Sequence, residues 1–387
     1  MGKGLVISVG AGVNQKKFIE KLKELGYSVA AFGKGKNDAH VIELCDFFAE
    51  IDTADYTSAI RWIESLDVEP MGAGSYAGGV AILTLQHILK YFKLPGHIPD
   101  EFLVGMNKLV QQKLYERYHL STIKTYGPNE LERMEVVEGV KYIVKPFIGR
   151  GSSGVRIVTG NELKKMISCN EIGVTEMVQE CVEGIEYRVL VYIQDGKIKI
   201  MAPVKRQSYE DTFLLGRLYI EKDEQERIEA YFEQFVIASG IENAVLKADI
   251  ICGTNEINLI EIDIGVGGGN YFKEYISECL QLDLLECYVK MITGQTIEKR
   301  DVLIDNLLMD YVFNWTGTAI SYDKETCIRE LKAKVGAERL IINSLHPEEK
   351  RQVESNADFI FTVIHSTKNI SVEELNQYVN ERLFVKK

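Results

Sequence analysis

Short apolar segments alternate with amphipathic segments over the first hundred residues, and this alternation constrains the fold more than any other feature of the chain. Residues 5–9, 27–32 and 47–51 have the composition of short buried strands. Residues 15–25 and 56–65 instead place apolar side chains at helical spacing, with polar side chains between them. Strand–helix–strand units joined by short turns predict a parallel, doubly wound α/β sheet with helices on both faces.

A different pattern follows after about residue 105. Strands with alternating apolar and polar residues are predicted at 142–145, 187–193 and 259–263, and helices at 161–168 and 223–239. Long alternating strands mixed with helices are typical of an α+β region with antiparallel sheets. We therefore expect three parts: a doubly wound domain over residues 1–105, an α+β domain over residues 106–298, and a small mixed α/β segment over residues 299–387.

Composition excludes several classes of function. Acidic residues outnumber basic ones by 57 to 45, which disfavours a nucleic-acid or anionic-membrane surface. No apolar stretch approaches the roughly 20 residues that cross a bilayer, and the first apolar run is too short and too glycine-rich for a signal peptide. Seven scattered cysteines without a CxxC pair indicate reduced thiols. These features together predict a cytoplasmic protein.

The glycine-rich turn after the first strand invites a dinucleotide-binding interpretation. Gly10 and Gly12 fit the start of that fingerprint, but Gln15 stands where its third glycine belongs. Lys34 and Lys36 follow the second strand, where an acid would bind a ribose. An NAD-dependent oxidoreductase is therefore disfavoured. The turn at residues 10–14 and the glycines of residues 72–78 either approach a substrate or only pack.

Residues 144–158 carry a lysine at the end of a strand, then a glycine- and serine-rich loop, then a second strand. Backbone N–H groups of such a loop can fold over a triphosphate, while the lysine adds positive charge. It is not a P-loop, because no Gly-Lys-Ser/Thr sequence opens a helix. The alternative is an ordinary flexible hairpin tip with an incidental lysine. The candidate residues are Lys145, Gly149, Gly151, Ser152, Ser153 and Gly154.

Three carboxylates are predicted to meet on one face of a hairpin. Glu261 and Asp263 are two residues apart on a strand, so both point to the same face. A turn at residues 253–255 would bring Asp249 beside them. Converging carboxylates need a cation, and hard oxygen ligands suit Mg²⁺ that bridges to phosphates. The alternative is a solvated strand face with no metal.

These two motifs, in this order and about a hundred residues apart, resemble the ATP-grasp superfamily. Residues 178–187 resemble its hinge strand, and residues 107–126 resemble its helix with an ATP-binding lysine. The resemblance covers residues 108–269, and it implies a Rossmann-like domain before a two-subdomain ATP-grasp fold. Within the superfamily the chain resembles the carbamoyl-phosphate-synthase-like branch of carboxylate–amine ligases, which includes relatives of biotin carboxylase and of amino-acid ligases.

The resemblance also implies roles for individual residues. The backbone from Glu180 to Val182 would meet the adenine edge with the help of Gln179, and Glu186 would bind the ribose hydroxyls. Lys113 and Lys145 would contact the ATP phosphates. Two Mg²⁺ or Mn²⁺ ions would be held by Asp249, Glu261 and Asp263.

Two departures from the family pattern concern the metal-binding strand. The last metal position usually carries Asn, and here it is Asp263. Many relatives then have a Pro-Arg pair, whose arginine steadies the substrate or transition state, but this chain continues with Ile264 and Gly265. The first candidates for a replacement cation are Lys205 and Arg206, which follow a predicted strand. Arg188 and Arg217 stand behind them, and ordinary surface charge is the alternative for each.

The resemblance implies an ATP-dependent ligase that joins a small-molecule carboxylate to an amine through an acyl phosphate and releases ADP and phosphate. The alternatives are an ATP-dependent carboxylase, another enzyme that forms an acyl phosphate, and a nucleotide-binding module without turnover. The segment with Trp315 and a predicted last helix at 372–383 either caps the site or forms a homodimer contact.

Overall fold

The computed structural model describes residues 3–35, 37–103, 107–149, 153–210, 212–265, 270–300, 306–342, 353–366 and 369–386. Its strands are β1 (Leu5–Val9), β2 (Ser28–Phe32), β3 (Phe47–Ala49), β4 (Pro70–Gly74), β5 (Thr125–Tyr126), β6 (Lys141–Pro146), β7 (Arg156–Thr159), β8 (Glu176–Glu180), β9 (Ile185–Gln194), β10 (Lys197–Ser208), β11 (Leu215–Tyr219), β12 (Ala244–Cys252), β13 (Ile257–Ile264), β14 (Leu308–Phe313), β15 (Ile320–Ser321), β16 (Ala337–Ile342), β17 (Phe359–His365) and β18 (Val385–Lys386). Its helices are α1 (Lys16–Glu24), α2 (Ala39–Leu44), α3 (Tyr56–Glu64), α4 (Val80–Phe92), α5 (Lys108–Arg117), α6 (Gly160–Ser168), α7 (Gln225–Ser239), α8 (Asn270–Leu280), α9 (Leu284–Ile292), α10 (Lys324–Val335) and α11 (Val372–Arg382). Within these residues, no helix combines the length and the apolar character that crossing a bilayer requires.

The first four strands form a parallel sheet in the order β3-β2-β1-β4. Every residue of β1 is buried, because the two faces of the sheet are both covered. Leu5 and Ile7 share a core with α3 and α4, whereas Val6 shares a core with Phe18 of α1. The prediction of a parallel, doubly wound sheet is confirmed.

Gly72 of β4 lies directly against the backbone of α9. A Cβ atom added at Gly72 would come within 2.4 Å of the carbonyl oxygen of Ile292. A separation that short is far inside van der Waals contact, and the backbone atom cannot move aside as a flexible side chain would. The absence of a side chain at this position therefore lets the N-terminal sheet pack closely on α9.

We expect Gly72→Ala to lower the free energy of unfolding by about 2–3 kcal/mol, because overpacking in a well-packed core costs of that order. Denaturant unfolding of the nucleotide-free protein measures the change. Gly78→Ala is the matched control, since a Cβ there meets no atom within 4 Å. Equal stability of the two variants would contradict the close packing of β4 on α9.

The centre of the molecule is an eight-stranded sheet in the order β13-β12-β9-β10-β11-β14-β17-β16. All of its strand pairs are antiparallel. The predicted antiparallel α+β arrangement is thereby confirmed. The sheet also continues past residue 298, because β11 pairs with β14. The C-terminal segment is thus hydrogen-bonded into the same sheet as the central region.

A second, four-stranded antiparallel sheet has the order β5-β8-β6-β7. It has a small core of its own in which Tyr142, Val144 and Val178 pack against Leu163 of α6. The glycine- and serine-rich loop connects its strands β6 and β7. This sheet therefore holds both ends of the loop.

Helix α5 is fixed to β13, which is an edge strand of the eight-stranded sheet. Asn107 caps the helix by accepting hydrogen bonds from the N–H groups of Leu109 and Val110. Gln111 donates to the carbonyl of Ile262, and Gln112 donates to the carbonyls of Leu259 and Ile260. The first turn of α5 consequently lies beside the strand that carries the predicted metal ligands.

Candidate active site

A cavity of about 450 Å³ lies where the two antiparallel sheets and the turn before α4 meet. The small sheet forms one wall, strands β9, β12 and β13 form the floor, and Gly78 and Gly79 also line the cavity. Tyr311 and Asn356 of the C-terminal segment also line it, which favours the interpretation that this segment caps the site. The predicted site residues among its lining are Lys145, Gly149, Ser153, Gln179, Glu180, Val182, Glu186, Arg206, Asp249, Glu261 and Asp263.

Lys145 at the end of β6 points a buried ammonium group into this cavity. The residue is only 8% exposed. Burial lowers its pKa to about 8, and the nearby positive charge of Lys108 acts in the same direction. The carboxylates of Glu261, Glu186 and Asp249 oppose this shift only in part. A desolvated cation of this kind is prepared for an incoming anion, such as a phosphate chain.

The loop between β6 and β7 reaches the cavity through Gly149 and Ser153. Gly154 has a φ of +73°, and a Cβ atom there would lie 3.1 Å from the ring of Pro146. This turn therefore requires glycine at position 154. Gly151 and Ser152, which were predicted to cover phosphates, lie outside the described residues.

Lys108 reaches the cavity, and Lys113 does not line it. Lys108 Nζ donates to Glu261 Oε1 at 2.8 Å and to the carbonyl of Gly149 at 3.1 Å. Lys113 instead donates to the carbonyl of Thr125 and to Glu130. Five residues along a helix turn the side chain by roughly 140°, so the two lysines of α5 face different neighbours. The only sequence signal for Lys108 was its place at the start of the helix, on the face that also carries the two glutamines.

Asp249 and Glu261 are direct partners across β12 and β13, and Asp263 follows two residues later. Each carboxylate is paired with a basic side chain. Asp249 binds Arg188, Glu261 binds Lys108, and Asp263 binds Lys247 at 2.5 Å. Among the described residues, no three acidic, histidine or cysteine side chains gather closely enough to chelate a metal together. The three carboxylates thus lie on neighbouring strands as predicted, but each forms an ion pair with a different basic side chain.

The hinge strand β8 lies along the small-sheet wall. The side chain of Gln179 is buried and donates to Thr125 Oγ1 at 2.8 Å, so its amide holds β5 against β8. Glu180 pairs with the exposed Lys124 at 3.3 Å. Val182, in the chain that leads to β9, also lines the cavity. This stretch offers backbone groups and apolar surface at one end of the cavity.

The basic residues that were candidates for the missing arginine differ in whether they line the cavity. Arg206 lines the cavity and contacts Glu186 at 3.3 Å, and its Nε has no hydrogen-bond partner among the described residues. Lys205 points to the opposite face of β10, as strand alternation requires, and pairs with Glu221 at 2.7 Å. Arg217 is bound to the buried Asp310 outside the cavity lining. Of the arginines that the structure describes, Arg206 and Arg188 line the cavity.

The turn at residues 10–14 packs within the N-terminal domain and does not line the cavity. Gln15 is buried, and its side-chain oxygen accepts a hydrogen bond from the N–H of Tyr76. The residue that breaks the dinucleotide fingerprint therefore joins the first turn to the turn after β4. Of the glycine-rich stretches in this domain, the one that reaches the cavity is the later one, through Gly78 and Gly79.

Comparison with known proteins finds a match to one protein-family model and a set of similar solved structures. A family model described as an ATP-grasp domain matches residues 110–264. No curated protein sequence matches the chain significantly.

Solved structures align over nearly the whole chain at low identity. The L-amino acid ligase from Bacillus licheniformis is 14% identical, with a TM-score of 0.74 and 100% of both chains covered. The N5-carboxyaminoimidazole synthetase from Staphylococcus aureus complexed with ADP is 13% identical, with a TM-score of 0.69 and coverage of 98% of this chain and 97% of its own. Phosphoribosylglycinamide synthetase from Anaerococcus prevotii is 18% identical, with a TM-score of 0.68 and 99% of both chains covered.

The matched segment contains β6, the hinge strand β8, and the acid-bearing strands β12 and β13. These elements follow one another in the same order as the motifs on which the resemblance to the ATP-grasp superfamily was based. Residues 110–264 therefore match an ATP-grasp domain, and the whole chain shares its fold with the solved structures named above.

Proposed function

We propose that this protein is an ATP-dependent ligase that activates a small-molecule carboxylate as an acyl phosphate and joins it to an amine. The observation that carries the proposal is the shared cavity. Lys108 and Lys145, the β6–β7 loop, the hinge strand and the carboxylates Glu261 and Asp263 all line one space. Lysines that can bind phosphates and carboxylates that can bind a cation thus lie next to the hinge strand β8, which suits the adenine base.

The nucleotide would lie along the small-sheet wall. The adenine would contact the backbone between Glu180 and Val182, where Ile143 and Ile251 add apolar surface to the lining. Glu186, which is partly exposed, would accept hydrogen bonds from the ribose hydroxyls. The triphosphate would then extend toward Lys145 and Lys108, whose charges neutralise it.

The donor set also fits Mg²⁺. This ion usually takes one or two protein carboxylates together with phosphate oxygens, and it keeps several waters. Glu261 and Asp263 offer such carboxylates on one face of β13, so a compact cluster of three is not needed. When bound, Mg²⁺ would neutralise charge on the β- and γ-phosphates of ATP.

The chemistry has two steps. A carboxylate oxygen of the first substrate attacks the γ-phosphorus of ATP, the bond to the bridging oxygen breaks, and ADP leaves. The nitrogen of the amine then attacks the acyl carbon, the bond from that carbon to the phosphate oxygen breaks, and the nitrogen gives its proton to phosphate or water. Lys145 and Lys108 would stabilise the charge on the transferred group, and the loop from Gly149 to Gly154 would exclude water from the acyl phosphate.

Release of ADP from the purified protein tests this function. The protein is incubated with MgATP, hydroxylamine and pools of carboxylic acids and amino acids, and each pool is also assayed without hydroxylamine. We expect ADP release that depends on a carboxylate, together with a hydroxamate product, because hydroxylamine traps an acyl phosphate.

Other results would separate the alternatives. ADP release that depends on bicarbonate, without any organic acid, would favour a carboxylase. Tight ADP binding with no carboxylate-dependent turnover in any pool would count against the ligase and favour a nucleotide-binding module.

A further inference from the structure

Arg188 and Asp249 form a bidentate ion pair on the floor of the cavity. They are register partners across β9 and β12. Arg188 Nε and Nη2 donate to the two carboxylate oxygens of Asp249 at 2.8 and 2.9 Å. The side chains are only 19% and 22% exposed. Both oxygens of Asp249 are consequently committed to the guanidinium, in a geometry that is among the strongest a protein can form.

The other two carboxylates on this face are held less firmly. Lys108 contacts Glu261 through a single N–O distance of 2.8 Å, and Lys247 contacts Asp263 through a single distance of 2.5 Å. Asp263 is also 47% exposed. A lysine is a flexible point charge without the fixed fork of an arginine. Both lysines can therefore move onto a phosphate and release their carboxylates to a metal ion.

Separating Arg188 from Asp249 would cost much more. The carboxylate of Asp249 is largely buried, and the Arg188 guanidinium occupies both of its oxygens. Removing one partner of a largely buried pair leaves the other charge uncompensated. A metal ion that took Asp249 would impose this cost on Arg188.

Arg188 is also well placed for the chemistry. It follows Glu186 by two residues on the same face of β9, which is about 7 Å further along the strand. The ring of Phe272 supports the guanidinium, with its centroid 5.8 Å from Cζ. Arg188 therefore lies on the floor between the ribose position that Glu186 would provide and the carboxylates of β13.

We infer that Arg188 is a fixed cation that contacts the phosphoryl group during transfer, that Asp249 is its counter-ion, and that Glu261 and Asp263 are the protein ligands for Mg²⁺. This inference rests on the proposed function.

Metal affinity tests the assignment without depending on turnover. Mn²⁺ is titrated into the full-length protein saturated with ADP, and free Mn²⁺ is followed by electron paramagnetic resonance. The variants are Arg188→Gln/Asp249→Asn, which removes both charges together, and Glu261→Gln. We expect the double variant to bind Mn²⁺ within about threefold of wild type and Glu261→Gln to bind it at least about tenfold more weakly.

A double variant as weak as Glu261→Gln would overturn the inference, because Asp249 would then be a metal ligand. Failure of the proposed function appears separately. If ADP binding by the wild-type protein does not depend on Mn²⁺, the site is not a metal–nucleotide site, and this is known before any variant is compared.

Arg188→Lys provides a second test that keeps the charge and is milder for folding. We expect kcat to fall about 100-fold, while the KM for ATP and the affinity for Mn²⁺ stay within about threefold, because lysine cannot make the bidentate contact. A near-normal kcat would overturn the role of Arg188.

Discussion

Glu261→Gln should reduce carboxylate-dependent ADP release by about 10³-fold and leave the fold intact. The substitution keeps the size of the side chain but removes the charge that we expect to bind Mg²⁺ and that now binds Lys108 at 2.8 Å. Several kcal/mol of transition-state stabilisation depend on a correctly held metal, and each 1.36 kcal/mol corresponds to about a factor of ten. Steady-state ADP release and thermal unfolding are measured on the same preparation.

Glu221→Gln is the matched control for Glu261→Gln. It also breaks a carboxylate–lysine pair, Lys205 with Glu221 at 2.7 Å, with similar exposure, but it lies outside the cavity lining. If both variants lose activity equally, the loss reflects damage to the sheet. If Glu261→Gln keeps a near-normal rate, Glu261 is not a metal ligand.

Lys145→Met should weaken nucleotide binding by about 100-fold and at the same time stabilise the nucleotide-free protein. The ammonium group is buried, and its pKa is lowered to about 8 mainly by that burial. At pH 7 the folded protein thus carries a charge that its interior disfavours. Methionine fills the same space without the charge, so we expect the free energy of unfolding to rise by about 1–3 kcal/mol. Calorimetric titration with ADP and denaturant unfolding measure the two effects.

The pH dependence has a definite sign. The lysine keeps its proton up to its ordinary pKa of 10.5 in the unfolded chain, while burial lowers its pKa to about 8 in the folded protein. Between these values the unfolded state binds more protons, so Lys145 should make wild-type stability rise with pH over this range. Lys145→Met should lack that contribution. Lys164→Met, which removes an exposed lysine paired with Glu138 in the same sheet domain, should change neither property. Loss of stability in Lys145→Met would contradict the cost assigned to its burial.

Local sequence patterns predicted the parts of the fold that depend on periodicity. The first strand appears at Leu5–Val9 as expected, and the helix that follows it at Lys16–Glu24, because one face of each must be buried. The pairing of β11 with β14 was not predicted, because residues about ninety positions apart carry no local signal of their contact. The sheet therefore continues through the expected boundary near residue 298.

The candidate site was predicted where residue type and strand alternation were enough. Glu261 and Asp263 lie on one face of β13 and line the cavity, as period-two spacing requires. The choice of Lys108 over Lys113 depends on the rotation of α5 about its axis. The pairing of Asp249 with Arg188 depends on the register between β9 and β12. Neither quantity is encoded in a short motif, because both are set by the packing of distant elements.

The hydrogen bonds from Gln111 and Gln112 to β13 have a consequence for self-association. An edge strand exposes unpaired backbone groups, and these are a template for strands of other chains. In this protein the two glutamines occupy three such carbonyls with side-chain amides, at 2.7–3.2 Å. Helix α5 therefore protects the sheet against intermolecular β-pairing at the strand that carries Glu261. Substitutions that remove both amides would expose this edge, so the same contacts that position the helix also help to keep the protein from aggregating.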